Sequence, residues 1–256
     1  MSSSDVQSSG VDGGMTDGGT NGGTGDQPQG PLVTVLMTVY NNGPYIGEAI
    51  ESALNQTYRN VEVVVVDDGS QDESWEVLQR YPQVRCQRQH REGIGAARNA
   101  AVAMARGSFY TFLDADDRFP LDKLEIQLGA FAADPALDVV YGHVREFVSP
   151  DLSEQEAARI RPPVAYNESH LSGVMLVRRD AFERVGPWTV GLKVGTGVDW
   201  YARSQEAKLK TLVMPEVFLE RRLHLSNNGI QQADNRIQYA SILKAALDRR
   251  RAASIR

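Results

Sequence analysis

The chain has 256 residues, 41% of them hydrophobic and 23% charged, enough for one large domain or two small ones. A net charge of −6 and an isoelectric point near 5.3 argue against a dedicated nucleic-acid binder; a single cysteine, Cys86, excludes an intrachain disulfide and a cysteine-rich zinc site. No run of about 18 apolar residues predicts a transmembrane helix, and the N-terminus lacks the basic and apolar regions of a secretory signal, so a cytoplasmic location is expected.

Residues 1–30 are nearly all Ser, Gly, Thr, Asp, Gln and Asn. They cannot bury a core and are expected to form a disordered tail. Residues 32–38 read as a strand. Residues 44–56 read as a helix with Ile46, Ala49, Ile50, Ala53 and Leu54 on one face. The valine run 61–66 is that of a parallel strand covered on both faces. A helix over 72–80, a short strand over 84–88 and a helix over 94–106 follow. Residues 109–113 form a buried strand, and 121–133 a helix. Strands alternating with helices predict a doubly wound, mostly parallel α/β sheet flanked by helices.

After residue 134 the pattern changes. Residues 137–141 and 144–148 read as paired short strands, 151–169 as polar chain without a clear period. A strand over 174–177, helices over 180–185 and 198–207, and a strand over 217–223 complete an α+β half expected to pack on the same sheet. Residues 230–251 predict a C-terminal helix that ends basic at Arg249, Arg250 and Arg251. Such an end reads first as a solvated terminus. A basic helix end can also touch acidic partners or a membrane surface.

Chemistry concentrates where strands end. The strand over 109–113 empties into Asp114-Ala115-Asp116-Asp117. Clustered carboxylates repel unless a cation lies between them, and oxygen ligands favour a hard divalent ion, Mg²⁺ or Mn²⁺. The valine strand ends in Asp67-Asp68-Gly69-Ser70, and the first strand in Thr38-Val39-Tyr40-Asn41. Parallel strands would bring these ends to one rim, where open α/β sheets bind ligands. An Asp at 68 can accept from a base N–H or from ribose hydroxyls, or it can cap a turn. Tyr40 can stack on a base or pack as a half-buried tyrosine. Gly93-Ile94-Gly95-Ala96-Ala97-Arg98 is no dinucleotide fingerprint, because Arg98 replaces the third glycine and the first strand–helix turn lacks the motif. A phosphate-binding GxxxxGK[ST] loop is absent. The small residues of this segment would let a helix approach the sheet, and Arg91 or Arg98 could reach a phosphate or form a surface ion pair.

The segments VTVLMTVYNN (33–42), VEVVVVDDGSQDES (61–74), GIGAARN (93–99) and FLDADD (112–117), in this order and spacing, resemble the family 2 glycosyltransferases of GT-A fold. SGVMLVRR (172–179), VDW (198–200) and RRLHLSNN (221–228) extend the match over about residues 32–229. The resemblance implies one domain over 31–229, with a nucleotide-binding half (31–134) and an acceptor-binding half (135–229), followed by the helix of 230–256. It implies an enzyme that moves a sugar from a nucleotide-diphosphate sugar, expected to be a UDP-sugar, with inversion. Thr38, Tyr40 and Asp68 fall where the family holds the base. Asp116 falls at the metal ligand, with Asp114 nearer the ribose or the metal, and Arg98 joins the nucleotide-binding set. Asp199 falls at the catalytic base, and His224 at a histidine that in some relatives meets the metal or diphosphate. Thr38 stands where many members have proline, and Val198 where many have an acidic residue. From the residues alone, Asp199 could instead pair with Arg203 four positions on, and His224 could be a structural hydrogen-bonding histidine. A nucleotidyltransferase would show a basic residue just after the first strand, and the Tyr40–Pro44 stretch has none. A catalytically silent nucleotide-sugar binder and a nucleotidyltransferase are the alternatives. Acceptor choice is expected in 142–169 and 186–197, the least patterned segments. The acceptor itself, whether saccharide, lipid, peptide or metabolite, is not implied.

Overall fold

The computed structural model describes residues 30–165, 167–227 and 237–254. The expected tail of residues 1–29 and the start of the last helix at 230–236 lie outside these residues.

An eight-stranded sheet organises the chain, in the order β3-β2-β1-β4-β7-β5-β6 with β8 on β5. Strands β1 (Val33–Val39), β2 (Val61–Asp67), β3 (Arg85–Arg88) and β4 (Phe109–Asp114) are parallel. Almost every side chain of β1, β2 and β4 is buried, as expected of strands covered on both faces. Helices α1 (Gly43–Leu54), α2 (Ser74–Leu78), α3 (Ile94–Met104) and α4 (Lys123–Ala133) make the connections. Pro44 lies in the first turn of α1, where its missing N–H costs nothing.

Beyond α4 the sheet becomes mixed. β7 (Leu176–Arg178) pairs antiparallel with β4 and with β5 (Val139–Val148), and β6 (Asn167–Ser169) pairs antiparallel with β5. A short helix, α5 (Glu154–Ala157), interrupts the long segment before β6 and carries a complete capping box from Ser153 and Glu156. Helices α6 (Arg179–Val185) and α7 (Thr196–Glu206) lead to β8 (Thr211–Leu223), parallel to β5, and α8 (Ile237–Ser254) lies on α7. Both halves of the chain therefore share one sheet. No helix among the described residues is long and apolar enough to cross a membrane.

Two expectations need correction. The two short strands read at 137–141 and 144–148 are one strand, β5. Gly142 and His143 look like a break, but they meet a register shift in β8, where Tyr141 pairs with Val213 and His143 with Val217. Pro215 sits in that bulge, a position that tolerates a residue without an N–H, and a Cβ on Gly142 would lie 2.4 Å from the Phe218 ring. Pro215 also hid the first half of β8 from the sequence pattern. The strand read over 174–177 begins at the end of a 3₁₀ turn (Ser172–Val174), and β7 itself begins at Leu176.

One core residue is a lysine. Lys123 Nζ is fully buried beside Thr111 Oγ1 at 3.0 Å, Gln127 Oε1 at 3.1 Å and the Met175 carbonyl at 3.4 Å, with the Phe119 ring 4.3 Å away. Burial pushes its pKa well below the usual lysine value. The unfolded chain then binds the proton that the folded chain releases, so stability rises with pH between the lowered value and the ordinary one. Replacing Lys123 by Met removes this dependence, by as much as about 1.4 kcal/mol per pH unit. Urea unfolding of both proteins at neutral and alkaline pH measures it; equal slopes would contradict the assignment.

Candidate active site

Register brings the acidic strand ends to one rim. Thr38 of β1 is level with Val66 of β2 and Asp114 of β4, and Val39 is level with Asp67. The loops after β1 and β2 are tied together. Ser70 Oγ accepts the Asn41 N–H at 3.0 Å, Ser74 Oγ accepts that of Asn42 at 3.0 Å, and Asp72 accepts that of Gly43 at 2.9 Å. Asp72, which also accepts from Ser74, thus satisfies the start of α1.

Asp68 is spent on the chain itself. Its Oδ1 accepts from Gln89 Nε2 at 2.8 Å and the Glu92 N–H at 2.9 Å, and its Oδ2 accepts the Gly93 N–H at 2.8 Å. It shapes the loop that enters α3 and brings Arg91 over Tyr40, whose ring centroid lies 3.9 Å from the guanidinium carbon. Tyr40 is half-buried, and one of its faces is already covered by a cation.

Beyond β4, each carboxylate has a different partner. Asp114 is half-exposed and accepts from Arg98 Nη2 at 2.7 Å. Arg98 is buried, so the pair joins a buried guanidinium to a half-exposed carboxylate. Its Nη1 donates to Thr196 Oγ1 at 3.1 Å, and its guanidinium carbon lies 4.9 Å from the Trp188 ring. Asp116 Oδ2 meets His224 Nε2 at 2.9 Å and Asn227 Nδ2 at 3.2 Å. A carboxylate only accepts, so His224 donates to Asp116 from Nε2, and its Nδ1 lies 2.7 Å from Ser226 Oγ. Asp117 points inward and accepts the Arg222 N–H at 2.9 Å. Burial, then the neighbouring Asp116 and Asp114, raises its pKa well above the carboxylate range.

Arg222 and Asn227 belong to the site, yet the sequence assigned them no role. Arg222 is buried. Its Nε donates to the Asp116 carbonyl at 3.0 Å, its Nη1 to Ser149 Oγ at 3.1 Å, and it pairs with Glu48. Asn227 accepts the His224 N–H at 2.7 Å and donates to the Arg222 carbonyl at 3.1 Å. The end of β8 is thereby fastened to the end of β4, and the signal for both residues was the RRLHLSNN segment.

Asp199 lies in the first turn of α7, one turn beyond Thr196 and on the same side of the helix. Arg98 therefore links Asp114 to the helix that carries Asp199. The Asp199 carboxylate is nearly buried, and its Oδ2 accepts from Thr189 Oγ1 at 2.7 Å and Arg203 Nε at 3.0 Å. The ion pair weighed from the sequence is present. Both contacts fall on Oδ2, and Oδ1 has no hydrogen bond among the described residues. The loop that brings Thr189 sits on α3: Asn99 exchanges two 2.9 Å hydrogen bonds with the Trp188 backbone. A Cβ on Gly95 would lie 2.5 Å from the Thr189 carbonyl oxygen, so Gly95 admits this loop, whereas Ala97 and Ala101 are the small residues buried in the core.

No group of three or more His, Cys, Asp and Glu side chains forms a metal cage among the described residues. Asp116 supplies an oxygen donor, and His224 Nε2 a nitrogen donor beside it once its proton moves to Nδ1, where Ser226 Oγ can accept it. This set fits Mg²⁺ or Mn²⁺, which take one or two protein ligands together with substrate phosphates and water.

Residues 34–186 match the family described as Glycosyl transferase family 2. The chondroitin synthase of Pasteurella multocida (strain Pm70) is 31% identical over 233 residues, 86% of this chain and 24% of that protein. Among solved structures, S. aureus TarS in complex with UDP-GlcNAc superposes with a TM-score of 0.61 at 20% identity, over 77% of this chain and 60% of that one. The mannosyltransferase PcManGT from Pyrobaculum calidifontis, in complex with GDP-Man and Mn²⁺, has a TM-score of 0.57 at 21% identity, over 78% and 59%. At such identities the likeness is one of fold. The chain spans about a quarter or less of the length of the chondroitin and hyaluronan synthases that it matches.

Proposed function

The chain belongs to glycosyl transferase family 2, and on that premise we propose that it transfers a sugar from a nucleotide-diphosphate sugar to an acceptor nucleophile, with inversion at the anomeric carbon. The observation that carries this reading is the meeting of Asp116 with His224 on the rim where Asp114 and Arg98 lead to Asp199. A UDP-sugar is the donor to test first. TarS binds UDP-GlcNAc, but PcManGT binds GDP-Man, so the base is an experimental question.

In this reading residues 31–134 hold the donor. The base lies against Tyr40 and Arg91 beside Thr38, and Asp68 acts by shaping the 89–93 loop. Asp114 faces the ribose or the ion from the hold of Arg98. Asp116 and His224 would hold Mn²⁺ or Mg²⁺. The ion, when bound, neutralises charge on the diphosphate leaving group. Asp199 accepts the acceptor's proton on Oδ1 while Thr189 and Arg203 fix Oδ2. The acceptor oxygen forms its bond to the anomeric carbon from the side opposite the diphosphate, which departs with the electron pair of the broken C–O bond. One carboxylate suffices, since no covalent sugar–enzyme intermediate forms. Residues 135–229, above all 142–169 and 186–197, choose the acceptor. A cytoplasmic site of action belongs to this reading and fits the single cysteine.

The Arg203–Asp199 ion pair favours one competing reading, a nucleotide-sugar binder without turnover. Calorimetric titration of UDP, GDP and dTDP, and of their sugar conjugates, with Mn²⁺ and with EDTA tests the donor site. The expected result is tight binding of one nucleotide series only with the metal. Binding of none, or binding indifferent to EDTA, would contradict the proposal. Nucleotide release from the bound conjugate on adding acceptors separates transferase from silent binder.

A further inference from the structure

One broad apolar face runs along α8 as two adjacent stripes. Ile242 and Ala246 are buried toward α7 and the loop before it, and a Cβ on Gly195 would lie 2.7 Å from Ile242 Cδ1 and 3.1 Å from Tyr239 Cε1. Gln238 Oε1 accepts the Lys193 N–H at 2.9 Å, and Arg249 pairs with Glu206 of α7 at 2.7 Å. The second stripe points outward. Tyr239, Leu243 and Leu247 recur every four residues, and Leu243 and Leu247 are 59% and 53% exposed. Ile237, at the first position of the helix, is 79% exposed. Tyr239, Ile242, Leu243, Ala246 and Leu247 thus form one apolar face, of which only the edge with Ile242 and Ala246 is covered.

Further exposed apolar residues flank the candidate base in the chain. Val190 is 60% exposed and follows Thr189, which holds Asp199. Val198, also exposed, precedes Asp199. Exposed Leu171 precedes Ser172, whose nitrogen is 3.8 Å from where a Cβ on Gly197 would stand. Seven of the ten exposed large hydrophobics among the described residues thus belong to α8, the 186–195 loop or the start of α7 and its neighbour Leu171. Scattered exposed apolar residues need no explanation, but a cluster does.

Charge selects the occupant. The chain as a whole carries −6, yet α8 bears Lys244, Arg250 and Arg251 against Asp248, which lies 4.0 Å from Arg251, while Arg249 is paired with Glu206 of α7. Apolar residues flanked by Lys and Arg match an anionic lipid surface, where the apolar stripe enters the headgroup boundary and the cations meet phosphates. A second copy of the chain is a poorer occupant. The exposed parts of the four α8 side chains amount to on the order of half of the roughly 800 Å² per partner that a stable dimer buries.

We propose that the outward face of α8, with Val190, Val198 and Leu171, rests on an anionic lipid surface, and that the acceptor reaches Asp199 from that surface as a lipid-borne molecule. The acceptor half of this statement rests on the transferase reading above; the lipid contact does not.

Co-sedimentation of the full chain with vesicles tests it, comparing phosphatidylcholine mixed with phosphatidylglycerol against phosphatidylcholine alone. The expected result is binding to the anionic vesicles that weakens with salt. Leu243→Glu/Leu247→Glu lowers it at least about tenfold. Lys244→Glu/Arg251→Glu lowers it by roughly fivefold or more for each cation lost. Both variants alter exposed side chains, and both keep the metal-dependent nucleotide binding of the unaltered chain. No binding to anionic vesicles, or wild-type binding by the leucine variant, would overturn the proposal. A dimer that the leucine variant converts to a monomer, with vesicle binding unchanged, would assign the stripe to a second copy and also overturn it. Intact vesicle binding with no nucleotide bound under any condition would support the lipid contact and overturn the acceptor half alone.

Discussion

Asp116→Ala is expected to remove the metal-dependent part of nucleotide binding, a loss of at least about 100-fold in affinity with Mn²⁺ present. Asp116 supplies one of the two donors that the rim offers, and its partner His224 is held by Ser226, by Asn227 and against the Tyr45 ring at 4.7 Å. The histidine stays in place when the carboxylate goes, so the variant tests the ligand and not the collapse of its surroundings. The substitution does orphan His224 Nε2 and one Asn227 donor, each at a cost of about 1–3 kcal/mol. Asp116→Asn serves as a control, because it keeps side-chain volume and a hydrogen-bonding group while removing the charge. Both variants are expected to lose the Mn²⁺ effect and to retain whatever binding persists in EDTA. An undiminished Mn²⁺ effect in either one would move the metal away from Asp116.

Asp199→Asn is expected to leave nucleotide affinity intact and to lower turnover by about 10²–10⁴, the usual contribution of a general base. The fold around it tolerates the change. Arg203 keeps its hydrogen bonds to the Val185 carbonyl at 3.0 Å and the Pro187 carbonyl at 2.9 Å, and these hold α7 to the 186–195 loop without the carboxylate. Steady-state rates with an acceptor used by the unaltered chain, beside calorimetry with the nucleotide, separate the two effects. Full activity would reduce Asp199 to the partner of Arg203. Loss of nucleotide binding would make it part of the donor site.

The parallel half of the fold was readable because its residues follow simple periods. The valines of β2 are buried on both faces, and the helices α1 and α3 place their small and branched residues toward the sheet. The second half was less readable. A bulge between β5 and β8 disguised one strand as two and shortened another, since Gly142 and Pro215 look like breaks until the facing strand is known. The site divides in the same way. Asp114, Asp116 and Thr38 could be placed on one rim because adjacent parallel strands end there. Pairings between distant segments could not be derived from patterning: Arg98 with Asp114, Asn227 with Asp116, Arg222 with the Asp116 carbonyl. Asp68 shows how one residue type serves two chemistries, since the carboxylate placed among the base contacts spends both oxygens on the 89–93 loop.

The reading stands on Asp116 and His224 as the place where an ion joins the donor to the chain. Crystals grown with MnCl₂ and the nucleotide that calorimetry selects, measured at the manganese edge, test this directly. The account predicts one anomalous peak within bonding distance of Asp116 and His224, touching the diphosphate of a nucleotide whose base lies against Tyr40. A nucleotide bound on the rim with its manganese elsewhere, or with no manganese at all, would contradict it.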